Sequence, residues 1–180
     1  MTRRGLLLTM TEPPAAMEEE FNAWYESEHL PERLSIPGFR SARRWVTDCG
    51  PGEGKYLATY ELDSLGVLSS AEYLARFEGA TPWTKRCLGK TLVFRRWACE
   101  QVEPGAAEAQ PAAKVLALAL VLGEQPLREF TLPGALQRRR FVASAGEPRH
   151  VTLIELASDV PSTPSVPGAV HALLRYRALG

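Results

Sequence analysis

The stretch from Phe21 to Trp45 reads FNAWYESEHLPERLSIPGFRSARRW and decides how the first half of the chain folds. Its first residues continue an apolar pattern that begins at Met17. Met17, Phe21, Trp24 and Tyr25 recur at i, i+4, i+7 and i+8, which is the spacing of one apolar helix face. The stretch therefore predicts a helix whose aromatic side packs against something else.

Two prolines divide the same stretch. Pro31 is expected to stop regular helix near Leu30, because proline lacks the amide hydrogen that a helix interior needs. Pro37 and Gly38 together mark a turn, and a strand is predicted from Phe39 to Asp48. The order is therefore helix, turn and strand.

The remaining patterns in the first hundred residues extend this order. Strands are predicted at 5–11, 55–62 and 90–100, with glycines and Pro51 breaking the chain before the strand at 55–62. A second helix is predicted at 71–77 behind the serines at 69 and 70, and Thr81-Pro82 opens a short extra turn ending near Cys87. The resulting order, β-α-β-β-α-β, is that of a ferredoxin-like sheet with both helices on one face.

The second half repeats the strands but shows poor helix signals. Residues 104–113 are rich in Ala, Pro, Glu and Gly and are interpreted as a linker between repeats at 1–103 and 114–180. Strands are predicted at 114–122, 136–144, 150–157 and 169–179, with one short turn or helix in 123–133 and three prolines in 159–168. We interpret this half as a degenerate second ferredoxin-like repeat.

The fold class that follows is α+β, with two ferredoxin-like repeats packed sheet to sheet. One chain would then form an intrachain barrel, a pseudo-dimer whose eight strands leave room for side chains or one small ligand. Further association into a homodimer is left open. If the second half supplied no sheet, the uncovered face would require a second chain.

The composition excludes several partners. Lys+Arg and Asp+Glu are both 21, so a net charge of zero gives no electrostatic case for nucleic acid or an anionic membrane. The apolar run near the N-terminus is too short to span a membrane. Three cysteines without CxxC spacing argue against a disulfide framework or a zinc site and are typical of a cytoplasmic protein.

The motifs of the quoted stretch resemble the EthD-like branch of the dimeric α+β-barrel superfamily. That branch shows an aromatic-rich first helix ending in an EH or VH pair, a turn with leucine or proline, and PG before the second strand. Here the matching residues are Phe21, Trp24-Tyr25, Glu28-His29-Leu30-Pro31, Arg33 and Pro37-Gly38-Phe39. The resemblance covers about residues 5–100 and implies that His29 faces the barrel cavity as the acid/base group.

His29 is the strongest candidate for chemistry, because an imidazole exchanges protons near neutral pH. At the end of the helix the macrodipole is expected to favour its protonated form. Tyr25 is a candidate hydrogen-bond donor to a phenol or carbonyl oxygen, and Asn22 a candidate to orient His29 or a ligand. Purely structural roles, such as capping the helix or packing on Trp24, remain open for all three.

Arginines on the second strand are candidates for binding an anionic ligand. Arg40 and Arg44 share one face of that strand and Arg43 the other, but the inward face is not decided by the pattern. Trp83 is a candidate to close one end of the cavity, with a core role as the alternative. No metal motif is present in the sequence.

Three functions remain open. The first is a cofactor-independent acid/base enzyme, of cyclase, isomerase or lyase type, acting on a small aromatic or polyketide-like ligand. The second is a non-catalytic ligand-binding or interaction domain. The third is a heme-linked or oxygen-using monooxygenase, with His29 as the candidate heme ligand.

Overall fold

The structure is a computed structural model, and it describes residues 3–47, 52–122, 130–159 and 170–179. Cys49 lies outside the described residues, as does most of the loop predicted before the strand at 55–62. The predicted turn or helix at 123–133 and the proline-rich segment at 159–168 also lie largely outside them.

The strands close into one barrel in the order β1-β3-β2-β8-β5-β7-β6-β4, and every pairing is antiparallel. The prediction of an eight-stranded barrel is confirmed, with strand ends within a few residues of those expected. The strands are β1 (Gly5–Glu12), β2 (Phe39–Val46), β3 (Tyr56–Leu62), β4 (Val93–Glu103), β5 (Val115–Val121), β6 (Ala135–Ala143), β7 (His150–Leu156) and β8 (Val170–Ala178).

The two halves of the chain contribute four neighbouring strands each. The first half has the order β4-β1-β3-β2 and the second half the order β8-β5-β7-β6, so equivalent strands occupy equivalent places. Pairing of β2 with β8 and of β4 with β6 joins the halves. The barrel is therefore completed within one chain.

The middle of the barrel is filled by side chains. On β1, Leu6, Leu8 and Met10 point inward and are fully buried, as their alternation with the outward Leu7 requires. Residues of both halves pack with them, including Trp45, Leu118, Phe141, Leu153 and Tyr176. The expected space between the sheets is thus occupied by apolar side chains in its middle.

Helices cover the outer face of the first half. They are α1 (Glu18–Trp24), a π-helical turn (Tyr25–His29), α2 (Leu30–Leu34), α3 (Ala71–Glu78) and α4 (Pro82–Lys90), with 3-10 turns at Ala15–Met17 and Leu65–Ser69. The side chain of Ser70 caps α3 by accepting from the amide of Tyr73. The short turn predicted after Thr81 is instead a nine-residue helix.

The prediction that Pro31 ends the helix is wrong. Helical structure continues through the π turn into α2 and ends at Leu34, with Pro31 in the first turn of α2. The wider π turn directly before Pro31 accommodates its ring, which would clash with a carbonyl in a regular helix. The π turn carries Tyr25, Glu26 and His29. The side chain of Tyr25 is buried, whereas that of Glu26 is exposed.

Candidate functional site

His29 lies outside the barrel, between the helices and the sheet. Its ring centroid is 4.5 Å from that of Trp24, 4.9 Å from Tyr25 and 6.4 Å from Tyr60. These three partners belong to the apolar layer under the helices, which is separate from the barrel interior. The expectation that His29 faces the barrel cavity is therefore wrong, because its helix covers the opposite face of the sheet.

The imidazole of His29 is held in its neutral form. Burial, followed by the charges of Arg33 and Arg44, lowers its pKa to about 3. The expected preference for the protonated form is wrong, since the helix does not end at His29 and two guanidinium groups lie nearby. Its Nδ1 atom is buried and has no hydrogen-bond partner, so it can accept a proton without breaking an existing hydrogen bond.

Tyr25 connects the histidine to the sheet. Its hydroxyl lies 3.2 Å from Oγ1 of Thr9, and the hydroxyl of Tyr60 donates to it at 3.3 Å. Burial raises the pKa of Tyr60 well above its ordinary value, which keeps this phenol protonated. The ring of Tyr25 contacts His29 on one side and Arg44 on another, so it joins the two groups predicted to do chemistry.

Arg44 is one of two buried arginines near His29. Its guanidinium carbon lies 4.3 Å from the ring centre of Tyr25, 5.2 Å from that of Tyr56 and 5.9 Å from that of Phe21. The residue is 5% exposed, and burial lowers the pKa of its guanidinium below the ordinary value. The three rings provide cation–π stabilisation of a charge that is removed from water.

Only part of the Arg44 guanidinium is hydrogen-bonded. Its Nη2 atom donates to Oδ1 of Asn22 at 2.6 Å. Its Nη1 atom has no hydrogen-bond partner, and the nearest charge, Oε1 of Glu26, lies 3.8 Å away. A buried donor without an acceptor destabilises the protein, so a hydrogen-bond acceptor that reached Nη1 would bind favourably. Arg44 thus offers a free, positively charged N–H group.

Asn22 orients this arginine rather than His29. Its Nδ2 donates to the hydroxyl of Tyr56 at 3.1 Å, and Tyr56 in turn donates to Oε1 of Glu18 at 2.5 Å. Lys55 pairs with the same carboxylate. Hydrogen bonds from Lys55 and Tyr56 lower the pKa of Glu18, so this acceptor stays ionised. The chain of contacts fixes Asn22, and through it the plane of the guanidinium.

A surface pocket of about 360 Å³ borders Arg44. Its walls are formed by Glu26, Leu30, Ala42, Arg43, Arg44 and Leu179. Leu179 follows β8, and its amide donates to the carbonyl of Arg44 at 2.9 Å. The pocket therefore lies at the seam between β2 and β8 and is lined by both halves of the chain. We call it the seam pocket.

Two predicted site residues lie elsewhere. Arg40 pairs with Asp63 and Glu108 near one end of the barrel, and its exposed side chain takes no part in the Arg44 contacts. Trp83 belongs to α4, where its Nε1 donates to Glu20 at 3.1 Å and its ring packs on the helical layer. The expectation that Trp83 closes an end of the barrel cavity does not fit this position.

Glu28, next to His29 in the sequence, makes hydrogen bonds to the start of α4. Its Oε1 accepts from the hydroxyl of Thr81 at 2.6 Å and from that of Thr84 at 2.9 Å. Thr84 also accepts from Nε1 of Trp24, which is fully buried as expected for a core residue. This set of bonds attaches α4 to the helix that carries His29.

The prominent charged cluster inside the barrel was missed. Arg139 is 1% exposed and donates to both oxygens of Glu61 at 2.9 Å and to Oε1 of Glu155 at 2.7 Å. Arg139 shares the inward face of β6 with Phe141, and the two carboxylates come from β3 and β7. A single glutamate within each of the apolar strands YLATYEL and HVTLIEL was the available signal.

No protein-family model matches the sequence, and no curated protein matches it. Solved structures share its architecture. An anthrone oxidase-like protein has a TM-score of 0.63 at 11% identity, with 100% of this chain and 92% of that chain covered. A chlorite dismutase-like protein has a TM-score of 0.63 at 11% identity, with 100% and 96% covered.

A monooxygenase-like protein from Lactobacillus acidophilus NCFM has a TM-score of 0.55 at 10% identity, with 98% of this chain and 93% of that chain covered. These neighbours belong to the dimeric α+β barrel superfamily. Likeness at such low identity establishes the fold alone. The chain therefore has a dimeric α+β barrel fold.

Heme does not fit the candidate residue. Trp24 and Tyr25 pack against the imidazole of His29, and its Nδ1 is buried. A porphyrin is far wider than a single-ring ligand and needs the space around the coordinating nitrogen that Trp24 and Tyr25 occupy, so we derive no step through heme. Within the described ranges, no cluster of three or more His, Cys, Asp or Glu residues is arranged to hold a metal ion. No helix in that part of the chain has the length and apolar character of a membrane span.

Proposed function

We propose that this protein is a cofactor-independent acid/base enzyme acting on a small aromatic or polyketide-like ligand. The reaction is of the cyclase, isomerase or lyase type. The observation that carries the proposal is the convergence on Tyr25 of two buried groups with free nitrogens, Nδ1 of His29 and Nη1 of Arg44. The location between helices and sheet replaces the barrel interior as the proposed site.

The proposed roles follow from protonation and charge. Neutral His29 accepts a proton from an acidic carbon or hydroxyl of the ligand, and Arg44 stabilises the enolate or phenolate that results. Tyr25 contributes its ring as the wall between them, while Asn22 positions Arg44. A negative ligand also raises the low pKa of His29, which makes the imidazole a stronger base once the ligand is bound.

The test is turnover of a panel of phenolic ketones by wild type and by His29→Gln. A general base in this position contributes about 10²–10⁴-fold, so the variant should lose at least a hundredfold in kcat while circular dichroism shows an unchanged fold. A second variant, His171→Gln, removes an exposed histidine of β8 and should keep full activity. Full turnover by a folded His29→Gln variant would exclude the assignment.

A second candidate is an oxygen-using enzyme. The anthrone oxidase-like and monooxygenase-like neighbours favour it. The same site serves both reactions, because removal of a proton from an activated aromatic ligand gives a carbanion able to reduce oxygen. Comparing turnover in air and under nitrogen, with an oxygen electrode, separates them: oxygen consumed in proportion to product supports this candidate.

The equal strand orders of the two halves support a tandem arrangement of ferredoxin-like repeats at 1–103 and 114–180. We include in the proposal the EthD-like branch and a cytoplasmic location. A non-catalytic binding domain is the remaining alternative. It would bind the ligand panel saturably without converting any member.

A further inference from the structure

The seam pocket adds a second charged group, Glu26, to the arginine that the proposed roles already use. Arg44 borders the pocket and its buried Nη1 has no hydrogen-bond partner, while the other walls include the apolar Leu30, Ala42 and Leu179. Glu26, at the rim, is the charged group facing this nitrogen. A buried cation that borders a partly apolar pocket, with a carboxylate beside it, indicates which class of ligand the pocket would bind.

We propose that the seam pocket binds a small aromatic carboxylate, and that Glu26 occupies the place of the ligand's carboxylate when the pocket is empty. This inference rests on the proposed function and names the class of substrate that the enzyme would bind. The guanidinium fork is suited to a carboxylate because it offers parallel N–H donors and a full charge. The apolar walls are suited to an aromatic ring, and about 360 Å³ accommodates one ring with short substituents.

Glu26 behaves as a replaceable partner. Its side chain is 71% exposed and its Oε1 lies 3.8 Å from Nη1, which is too far for a hydrogen bond. Glu26 lies in the π turn, one residue after Tyr25. An exposed carboxylate can move into water at little cost, so an incoming carboxylate displaces it and forms the hydrogen bond that Nη1 lacks.

The other cation that borders the pocket is already satisfied. Arg43 donates to the carbonyls of Gln110 and Ala113 and stacks over the ring of Trp45 at 4.5 Å. Its guanidinium therefore belongs to the barrel end, and Arg44 alone presents an unpartnered donor among the residues that line the seam pocket. Glu26, whose carboxylate lies beside this donor, is therefore expected to compete with anions for it and so to set their affinity.

The experiment is isothermal titration of the full chain with benzoate, benzamide and acetate. Benzoate should bind about tenfold more tightly than benzamide, because benzamide has the same shape without the charge. Acetate should bind more weakly than benzoate, because it cannot fill the apolar walls. Equal affinities for benzoate and benzamide would overturn the proposal.

The decisive variant is Glu26→Gln, an exposed change that leaves the core untouched. Removing the competing carboxylate should lower the Kd of benzoate about two- to fivefold and leave that of benzamide unchanged, as expected for an exposed ion pair. Glu72→Gln on α3 makes the same charge change at another exposed position and should leave both values unchanged. A Glu26→Gln variant that binds benzoate no more tightly than wild type would refute the inference.

These results are separable from those on catalysis. Benzoate binding that responds to Glu26→Gln, in a protein without turnover, supports the carboxylate site and rejects the enzyme. Turnover of neutral phenolic ketones that benzoate does not inhibit supports the enzyme and rejects the carboxylate site.

Discussion

Replacing His29 by phenylalanine should make the protein less sensitive to acid. In the folded protein the imidazole has a pKa of about 3, whereas in the unfolded chain it titrates near its ordinary value of 6.5. Between these two values the unfolded state binds the extra proton. Stability contributed by the neutral imidazole is therefore complete above about pH 6.5 and is lost as the pH falls towards 3.

The size of the effect follows from the same two values. Between pH 7 and pH 5 the unfolded imidazole becomes almost fully protonated, which costs at most about 2 kcal/mol of unfolding free energy. Because His29 as a whole residue keeps some exposure to solvent, screening reduces the expected loss to about 1–2 kcal/mol. Phenylalanine preserves the packing against Trp24 and Tyr25 and has no proton to bind.

The assay is urea unfolding of wild type and His29→Phe at pH 7 and at pH 5. Wild type should lose about 1–2 kcal/mol more than the variant between the two conditions, since the carboxylates of the two proteins titrate alike. His171→Gln is the control, because it removes an exposed imidazole and its unfolding free energy is measured at the same two pH values. Equal losses in wild type and His29→Phe would refute the claim that His29 is buried in its neutral form.

Three further predictions concern stability, each measured by urea unfolding. Arg139→Met removes the cation from between two buried carboxylates and should cost about 3–5 kcal/mol. Arg138→Met, at the half-exposed neighbour, should cost under about 1 kcal/mol, and similar losses in the two variants would argue against the buried cluster. Leu118→Ala opens a cavity in the barrel interior and should cost about 2–5 kcal/mol, and a loss below 1 kcal/mol would mean that the barrel is not packed there. Ser70→Ala removes the cap of α3 and should cost about 1 kcal/mol; no change would remove the role of its hydroxyl.

The strands were predictable because their patterns are local. Alternation along β2 correctly placed Arg44 and Arg43 on opposite faces, but it left open which face was inward. That choice depends on where the helices pack, and it was made by contacts of Arg44 with Phe21 and Tyr25. The local pattern therefore showed which residues of β2 share a face, and tertiary packing decided which face points into the barrel.

The helix around Pro31 shows a different limit. A proline in a helical pattern usually ends the helix, and a π turn that accommodates it leaves no clear mark in the sequence. The placement of His29 inside the barrel came from a resemblance rather than from spacing. The packing on Trp24 that was left open as a structural role is present, with the two ring centroids 4.5 Å apart.

The cluster of Glu61, Arg139 and Glu155 could not be assembled from local pattern. The three residues are far apart in the chain, and only the closure of the barrel brings β3, β6 and β7 to face one another. An isolated charge in an apolar strand was visible, but its partner was not. Similarly, the seam pocket requires Leu179 from the far end of the chain.

Ligands are proposed to bind between the helices and the outer face of the sheet. A titration of the ¹⁵N-labelled protein with benzoate, followed by amide chemical shifts, locates the site. Saturable shifts are expected at the amides of Asn22, Glu26, Leu30, Ala42 and Arg44. Shifts confined to the inward-facing residues Leu118, Phe141 and Arg139, with those five amides unmoved, would contradict this location.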